Sequence, residues 1–175
     1  METLIFENIS KIVKNKKLLE EKLKVKITTN KKQITIDGDP LDEYEAEKVL
    51  EAIDFGFTTN QSLNLTDPDF EFRKLNIKDY TRRKNLREVK ARIIGTKGKT
   101  KKTLEDISGC SLIIKDNAVG ILGPIDAVES ATIAIGNLIK GTKQGNIYRY
   151  LEKMNKMKKE ERESLGLKIN IKSKK

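Results

Sequence analysis

Between two amphipathic stretches of this 175-residue chain stands Gly95-Thr96-Lys97-Gly98, and its residue types suit the binding of an anion. A helix start leaves backbone N–H groups unpaired and carries partial positive charge. Glycines let an oxyanion approach those amides with no Cβ in the way. Lys97 adds a point charge. Two glycines at this spacing are a weak signal alone, because many turns contain them; the surroundings give them weight. From Thr81 to Lys102 there are ten basic residues (Arg82, Arg83, Lys84, Arg87, Lys90, Arg92, Lys97, Lys99, Lys101 and Lys102) against one acid, Glu88. A solvated helix face usually mixes signs, so this imbalance points to a polyanionic partner. The formal net charge is +10, and this window carries nearly all of it, which leaves the rest of the chain close to balance.

Other chemistries find little support. Histidine is absent and Cys110 is the only cysteine, so neither the commonest general base nor the usual structural zinc set is available. There is no phosphate loop of the Walker type and no nucleophile elbow. Asp67-Pro68-Asp69 reads as a turn rather than a metal site. No metal, cofactor or catalytic residue is expected, and a binding protein is favoured over an enzyme. Cys110 reads as a packing residue, and Met154 and Met157 as docking residues of a late helix. The start of the sequence has no secretory pattern and no apolar run approaches a membrane span. With a lone cysteine this predicts a cytoplasmic protein with no membrane partner.

The elements that must position the loop come from an internal repeat. Sliding the sequence on itself by 85 positions aligns residues 9–56 with 94–141 without gaps. Identities fall at Ile9/Ile94, Lys16/Lys101, Lys17/Lys102, Leu19/Leu104, Glu20/Glu105, Ile36/Ile121, Gly38/Gly123, Ala46/Ala131 and Gly56/Gly141. In the second copy, 71–77 reads as a strand, 86–94 and 99–108 as helices either side of the glycine loop, 111–115 and 118–122 as a hairpin across Asp116-Asn117, and 125–140 as a helix opened by Pro124. The first copy offers the same order: a strand at 4–6, one helix over 9–23, a hairpin of 24–29 and 33–37, and a helix over 41–55. The fold class is therefore α+β, with two tandem β-α-α-β-β-α units. Residues 1–57 form the first, 58–70 a surface linker rich in turn-formers, 71–142 the second, and 143–175 a C-terminal helix with a basic tail from Lys168 onward. Ile147, Leu151 and Met154 mark the packed stripe of that helix.

The run from Arg92 to Cys110, RIIGTKGKTKKTLEDISGC, resembles the core signature of KH domains, and the element order is similar to the type I version. The resemblance implies single-stranded nucleic acid, with the GxxG loop clamping the backbone of about four nucleotides. It also implies an apolar groove bounded by Ile93 and Ile94 on one side and strand 111–114 on the other. Carried over by position, the RNA-binding residues are Arg92, Ile93, Ile94, Gly95, Thr96, Lys97, Gly98, Lys99, Lys101 and Lys102, with Arg82, Arg83 and Arg87 as basic neighbours. The first copy departs from the signature. The gapless alignment puts Ser10-Lys11-Ile12-Val13 opposite the loop, a gapped one Lys14-Asn15-Lys16, and neither contains the glycines. It reads as a degenerate KH unit, used for packing or protein contact, with RNA contact left open.

The two units, the segment Leu75-Asn76-Ile77-Lys78-Asp79-Tyr80 and the helix opening Gly145-Asn146-Ile147-Tyr148 resemble archaeal members of the partner-of-Nob family. The resemblance implies assembly of the small ribosomal subunit. The expected partners are single-stranded small-subunit rRNA near its 3′ end, the rRNA-processing endonuclease and an archaeal translation initiation factor subunit. Two other classes are weighed against it. An exosome-type KH subunit would need a neighbouring β-barrel, and no matching series of short strands is found. A protein-interaction adaptor with weak RNA contact would lack the steep salt dependence of phosphate binding.

Overall fold

The computed structural model describes residues 1–166; the basic tail expected from Lys168 lies outside them. The first unit runs β1 (Glu2–Ile5), α1 (Ser10–Lys14), α2 (Lys16–Leu23), β2 (Lys26–Asn30), β3 (Gln33–Asp37) and α3 (Pro40–Phe55). A connector holds α4 (Thr59–Leu63). The second unit repeats the order with β4 (Phe70–Asn76), α5 (Leu86–Ile94), α6 (Lys99–Ser108), β5 (Ser111–Lys115), β6 (Ala118–Pro124) and α7 (Ile125–Lys140), and α8 (Gln144–Ser164) follows. Each unit has a three-stranded antiparallel sheet with its last strand in the middle, in the orders β1-β3-β2 and β4-β6-β5.

The repeat holds at the level of single hydrogen bonds. Glu20 Oε1 accepts the Ile27 N–H at 2.8 Å, and Glu105 Oε1 accepts the Leu112 N–H at 2.8 Å. Each carboxylate is also paired with the lysine four residues earlier, Lys16 at 3.8 Å and Lys101 at 2.9 Å. Each thus ties the second helix of its unit to the strand that follows. Gly38 and Gly123 are matched in the same way. A Cβ on Gly38 would lie 2.9 Å from Val25 Cγ1, and one on Gly123 would lie 2.9 Å from Cys110 Sγ. Gly56 and Gly141 end α3 and α7 with φ of 136° and 119°, where a Cβ is disfavoured.

The sequence reading of one helix over 9–23 is corrected. The chain bends at Asn15, whose side-chain amide donates to the Lys11 carbonyl at 2.8 Å. Either side of that bend the units superpose with different offsets. Lys11-Ile12-Val13 corresponds to Arg92-Ile93-Ile94, with Ile12 and Ile93 both fully buried and Val13 and Ile94 both exposed. Lys14-Asn15-Lys16-Lys17 corresponds to Lys99-Thr100-Lys101-Lys102. At this joint the first unit lacks Gly95-Thr96-Lys97-Gly98; its first strand and first helix are also shorter than β4 and α5. The gapless pairing of Ile9 with Ile94 is accidental.

The surface linker expected at 58–70 is also corrected. Thr58 caps α4 in a reciprocal box with Gln61. Phe57 and Ser62 are fully buried, and Leu65 is buried. This segment and the end of α3 cover one face of the second sheet. Along β6 the sides alternate: Ala118 and Leu122 join the core of the first unit, Val119 and Ile121 that of the second. Phe55, Phe57 and Phe72 form an aromatic cluster with centroids 5.6–6.3 Å apart. Gly120 makes room for it, since a Cβ there would sit 2.4 Å from the Phe55 ring. Each buried aromatic contributes roughly 1.5–3 kcal/mol, so the units are held as one packed body. The corresponding face of the first sheet carries the row Thr3, Thr35, Thr28, and Thr3 and Thr28 stay exposed.

Against the other face of the second sheet lie α5, α6 and α7, with α8 strapped across α6 and α7. Ile147 and Leu151 are buried there, Met154 is half-buried, and Asn155 donates to the Ile107 carbonyl at 2.6 Å. Met157, expected to dock, is exposed. Cys110 is buried as expected, and burial pushes its thiol pKa up to about 11. No described helix is long and apolar enough to cross a membrane.

Candidate nucleic-acid interface

Three of the four loop residues have left-handed backbone: Gly95 (φ 74°), Lys97 (φ 54°) and Gly98 (φ 76°). Gly95 is required twice over. Its φ disfavours a side chain, and a Cβ would lie 2.2 Å from Thr100 Oγ1 and 2.7 Å from Thr100 N. Gly98 has nothing within 4 Å of its would-be Cβ, so it faces open space. The loop thus lies flat on the first turn of α6 and leaves that helix start bare. Gly98 stands at its N-cap position, and no side chain caps the turn. Thr96, Lys97, Lys99 and Lys102 are exposed around these amides. Beside them Ile94 is 37 % exposed, and Ile114 of β5 is partly buried against the same core. A bare helix start ringed by lysines next to an apolar shelf can take a phosphate and leave the attached base a place to lie.

The remaining sequence-named residues divide. Arg92 is spent on the fold: its guanidinium donates to the Gly141 and Thr142 carbonyls at 2.8 and 3.0 Å. These are the orphan acceptors at the end of α7, where a cation is favoured. Lys11 does the same in the first unit, donating to the Gly56 carbonyl at 3.0 Å. Arg83 also reaches this helix end, with Nη2 4.0 Å from a would-be Cβ on Gly141. Lys101 is paired with Glu105 and stays partly exposed, whereas Ile93 lies wholly in the core. Lys90 donates to the Asp116 carbonyl. Arg87 is exposed at the far end of α5, about 10 Å or more from the loop at 1.5 Å per residue, and Arg82 is exposed in the segment before that helix.

Sequence reasoning missed Gln144. Its amide donates to Thr100 Oγ1 at 3.0 Å and reaches the Arg92 carbonyl at 3.5 Å. The junction of α7 and α8 therefore grips the chain on both sides of the loop. Nothing local in the sequence signals this, because the partners are 44 and 52 residues away.

A family profile described as a eukaryotic type KH-domain (KH-domain type I), for the second such unit of PNO1, matches residues 71–156. The crystal structure of Dim2p from Pyrococcus horikoshii OT3 is 30% identical, covers 87% of this chain with 98% of its own, and superposes with a TM-score of 0.79. The chain belongs to the Dim2p/PNO1 family. Dim2p was also solved in an a/eIF2alpha-aDim2p-rRNA complex, which matches at 29% identity over 89% of this chain and 94% of that one, with a TM-score of 0.78. A KH domain-containing protein of Methanocaldococcus jannaschii is 30% identical over 145 residues, 79% of this chain and 64% of that protein. The RNA-binding protein pno1 of Dictyostelium discoideum is 28% identical over 110 residues, 46% of its length. The chain thus spans about half to two-thirds of the curated relatives it matches. The Dim2p structure covers 87% of this chain, whereas the PNO1 profile matches the second unit and the start of the following helix.

Proposed function

We propose that this chain is a non-catalytic single-stranded RNA-binding protein of small-ribosomal-subunit assembly, which grips rRNA near its 3′ end. The observation that carries the reading is the loop Gly95–Gly98: a glycine-dependent turn that bares a helix start beside Lys97, Lys99 and Lys102. Phosphate backbone would cross the loop while bases lie on Ile94 and Ile114. Support comes from relatives named as RNA-binding or pre-rRNA-processing proteins and from the rRNA in the Dim2p complex. The initiation factor subunit in that complex supports a similar partner here. The rRNA-processing endonuclease as a second partner, and a cytoplasmic setting, belong to the same proposal.

The test is Thr96→Asp with Lys97→Asp. Both side chains are exposed, so folding stability should change by no more than about 1 kcal/mol. Two carboxylates would face the phosphates, and juxtaposed like charges cost several kcal/mol. The expected result is an unchanged melting temperature with affinity for a short rRNA 3′-end oligonucleotide reduced on the order of a hundredfold or more. A folded double variant that binds as tightly as the parent overturns the proposal.

A further inference from the structure

Charge is segregated within the first unit. Its helix α3 carries Asp42, Glu43, Glu45, Glu47, Glu51 and Asp54 against Lys48 alone, in a chain whose net charge is +10. Some of these carboxylates serve the fold. Glu43 accepts the Gly38 N–H at 3.0 Å and pairs with the Met1 amino group at 2.8 Å, and Asp54 accepts the Asn8 N–H at 2.6 Å. Glu47 and Glu51 lie one turn apart, and neither takes part in an ion pair among the described residues. Burial, with Glu2 and Glu51 nearby, pushes the Glu47 carboxyl pKa up. Like charges held together are destabilising, and a cation relieves the repulsion.

Glu47 and Glu51 line a groove of about 510 Å³ between the two units. Phe55 and Ala118 give it apolar lining, and the second unit contributes Lys74 and Lys115. Both lysines are engaged elsewhere. Lys115 pairs with Glu7 at 3.4 Å and donates to the Asp54 carbonyl at 3.2 Å, while Lys74 lies over the Phe55 ring at 5.7 Å.

Strand β1 borders the same groove through Leu4 and Ile5. It pairs with β3 alone, so its other edge is open. The register shows which groups that edge presents. Phe6 donates to the Lys32 carbonyl at 2.9 Å, and the pairing runs back through Leu4↔Ile34 and Glu2↔Ile36. Antiparallel pairs alternate between hydrogen-bonded and non-bonded. The N–H and C=O groups of Thr3 and Ile5 therefore point away from β3, and Ile5 is 74 % exposed. Open edges are commonly blocked by a lysine or a proline. Glu2-Thr3-Leu4-Ile5 has neither, and its one charge adds to the acids of the groove.

The geometry points to a docking site for an extended, lysine- or arginine-rich segment of another protein, which joins the open edge of β1 as a fourth strand and lays its basic side chains along Glu47 and Glu51. Main-chain bonds give such a complex its affinity and alternate side chains its specificity. Every second residue of the added strand faces the groove, so the partner carries its basic residues at that spacing. Their alkyl stems cover Leu4 and Phe55 while the charged heads reach the carboxylates. The same acids repel RNA, so this site is separate from the glycine loop and does not rest on the RNA-binding reading.

The probe is a fluorescein-labelled peptide of about six residues, an ordinary strand length, alternating lysine and valine; a glutamate–valine peptide is the control. Titrated against the whole chain and followed by anisotropy, the lysine peptide should bind on the order of tenfold or more tighter than the control. Glu47→Gln with Glu51→Gln should weaken it roughly tenfold, with the melting temperature unchanged or raised because repulsion is removed. Ile5→Pro takes one N–H from the open edge, spares the ladder to β3, and should weaken binding about fivefold. Amide hydrogen exchange at Thr3 and Ile5 of the parent should slow when the lysine peptide is bound, a readout that needs no variant to fold. Both variants should bind the short rRNA oligonucleotide like the parent. The inference is overturned if the parent binds the two peptides equally, or if the double glutamine variant binds the lysine peptide as tightly as the parent. Unchanged exchange at Thr3 and Ile5 also overturns it, since the contact would then be with the charges of α3 alone. A dimer of the free chain that Ile5→Pro abolishes in sedimentation would give the edge to a second copy and overturn it as well.

Discussion

Two copies of one architecture sit in this chain, and they differ at their most exposed point. Both tie the second helix to the next strand through a glutamate, Glu20 or Glu105. Both end the third helix on a glycine whose carbonyl takes a long basic side chain, Lys11 or Arg92. The first unit's framework thus closes without a GxxG loop. The loop is an addition of four residues to a joint that closes without them, and this marks it as functional rather than structural. The sheets differ in the complementary sense. The outer face of the second sheet is buried under Phe55 and Phe57, while that of the first stays polar. One unit carries the GxxG loop; the other packs against its sheet as support.

The most drastic test removes residues 95–98 and replaces Thr100 with Asn, which rebuilds the second joint in the image of the first. If the units are equivalent frameworks, this protein unfolds cooperatively with a stability loss of about 1–3 kcal/mol, the range of an ordinary point change. Its affinity for short RNA should fall on the order of a hundredfold or more. Thermal unfolding followed by circular dichroism reads the first quantity and anisotropy the second. A chain that no longer folds would show that the second unit depends on its loop for structure, and the equivalence would be lost.

A smaller effect is expected from the matched glutamates. Glu20→Ala and Glu105→Ala each remove a carboxylate acceptor from a backbone amide, a hydrogen bond of about 1.5–3 kcal/mol. The ion pairs with Lys16 and Lys101 are partly exposed and add little. Melting temperatures should fall by similar amounts in both variants, roughly 4–8 °C for a chain of this size. Affinity for RNA should be unaffected by Glu105→Ala. If it fell without a change in melting temperature, Lys101 and Glu105 would belong to the ligand surface after all.

The same comparison explains what the sequence made legible. The β-α-α-β-β-α order could be read because its signals are local: helical spacing, Gly56 and Gly141 at helix ends, and Asp116-Asn117 in a turn. The lysines and glycines of the loop could be read because an uncapped helix start has a compositional signature. The fates of Arg92, Lys101 and Arg83 could not. Whether a cation faces solvent depends on acceptors far along the chain, such as the Gly141 carbonyl 49 residues away. The missing loop of the first unit was hidden because identities after the bend fixed the offset and a chance Ile9/Ile94 match extended it across the gap. The connector looked like a surface linker because its polar residues outnumber Phe57 and Leu65, the two apolar side chains that bury it.

The finest difference between the units is the brace behind the loop. Thr100 is buried, its hydroxyl takes the Gln144 amide, and that amide also reaches the Arg92 carbonyl. In the first unit the counterpart of Thr100 is Asn15, which is satisfied within its own turn by the Lys11 carbonyl. The second joint thus borrows its rigidity from α8, while the first supplies its own. A loop with three left-handed residues has other conformations within reach, and only one presents the start of α6 to a phosphate. Gln144→Ala should widen that ensemble without touching the ligand. A neutral hydrogen bond of this kind contributes about 1 kcal/mol, so short-RNA affinity should weaken about fivefold. The melting temperature should shift by no more than about 4 °C. Gln144→Glu, which can accept from the Thr100 hydroxyl in place of donating to it but cannot donate to the Arg92 carbonyl, should recover part of the loss. If Gln144→Ala binds short RNA as tightly as the parent, the glycine geometry alone holds the loop, and α8 serves the second unit only as packing.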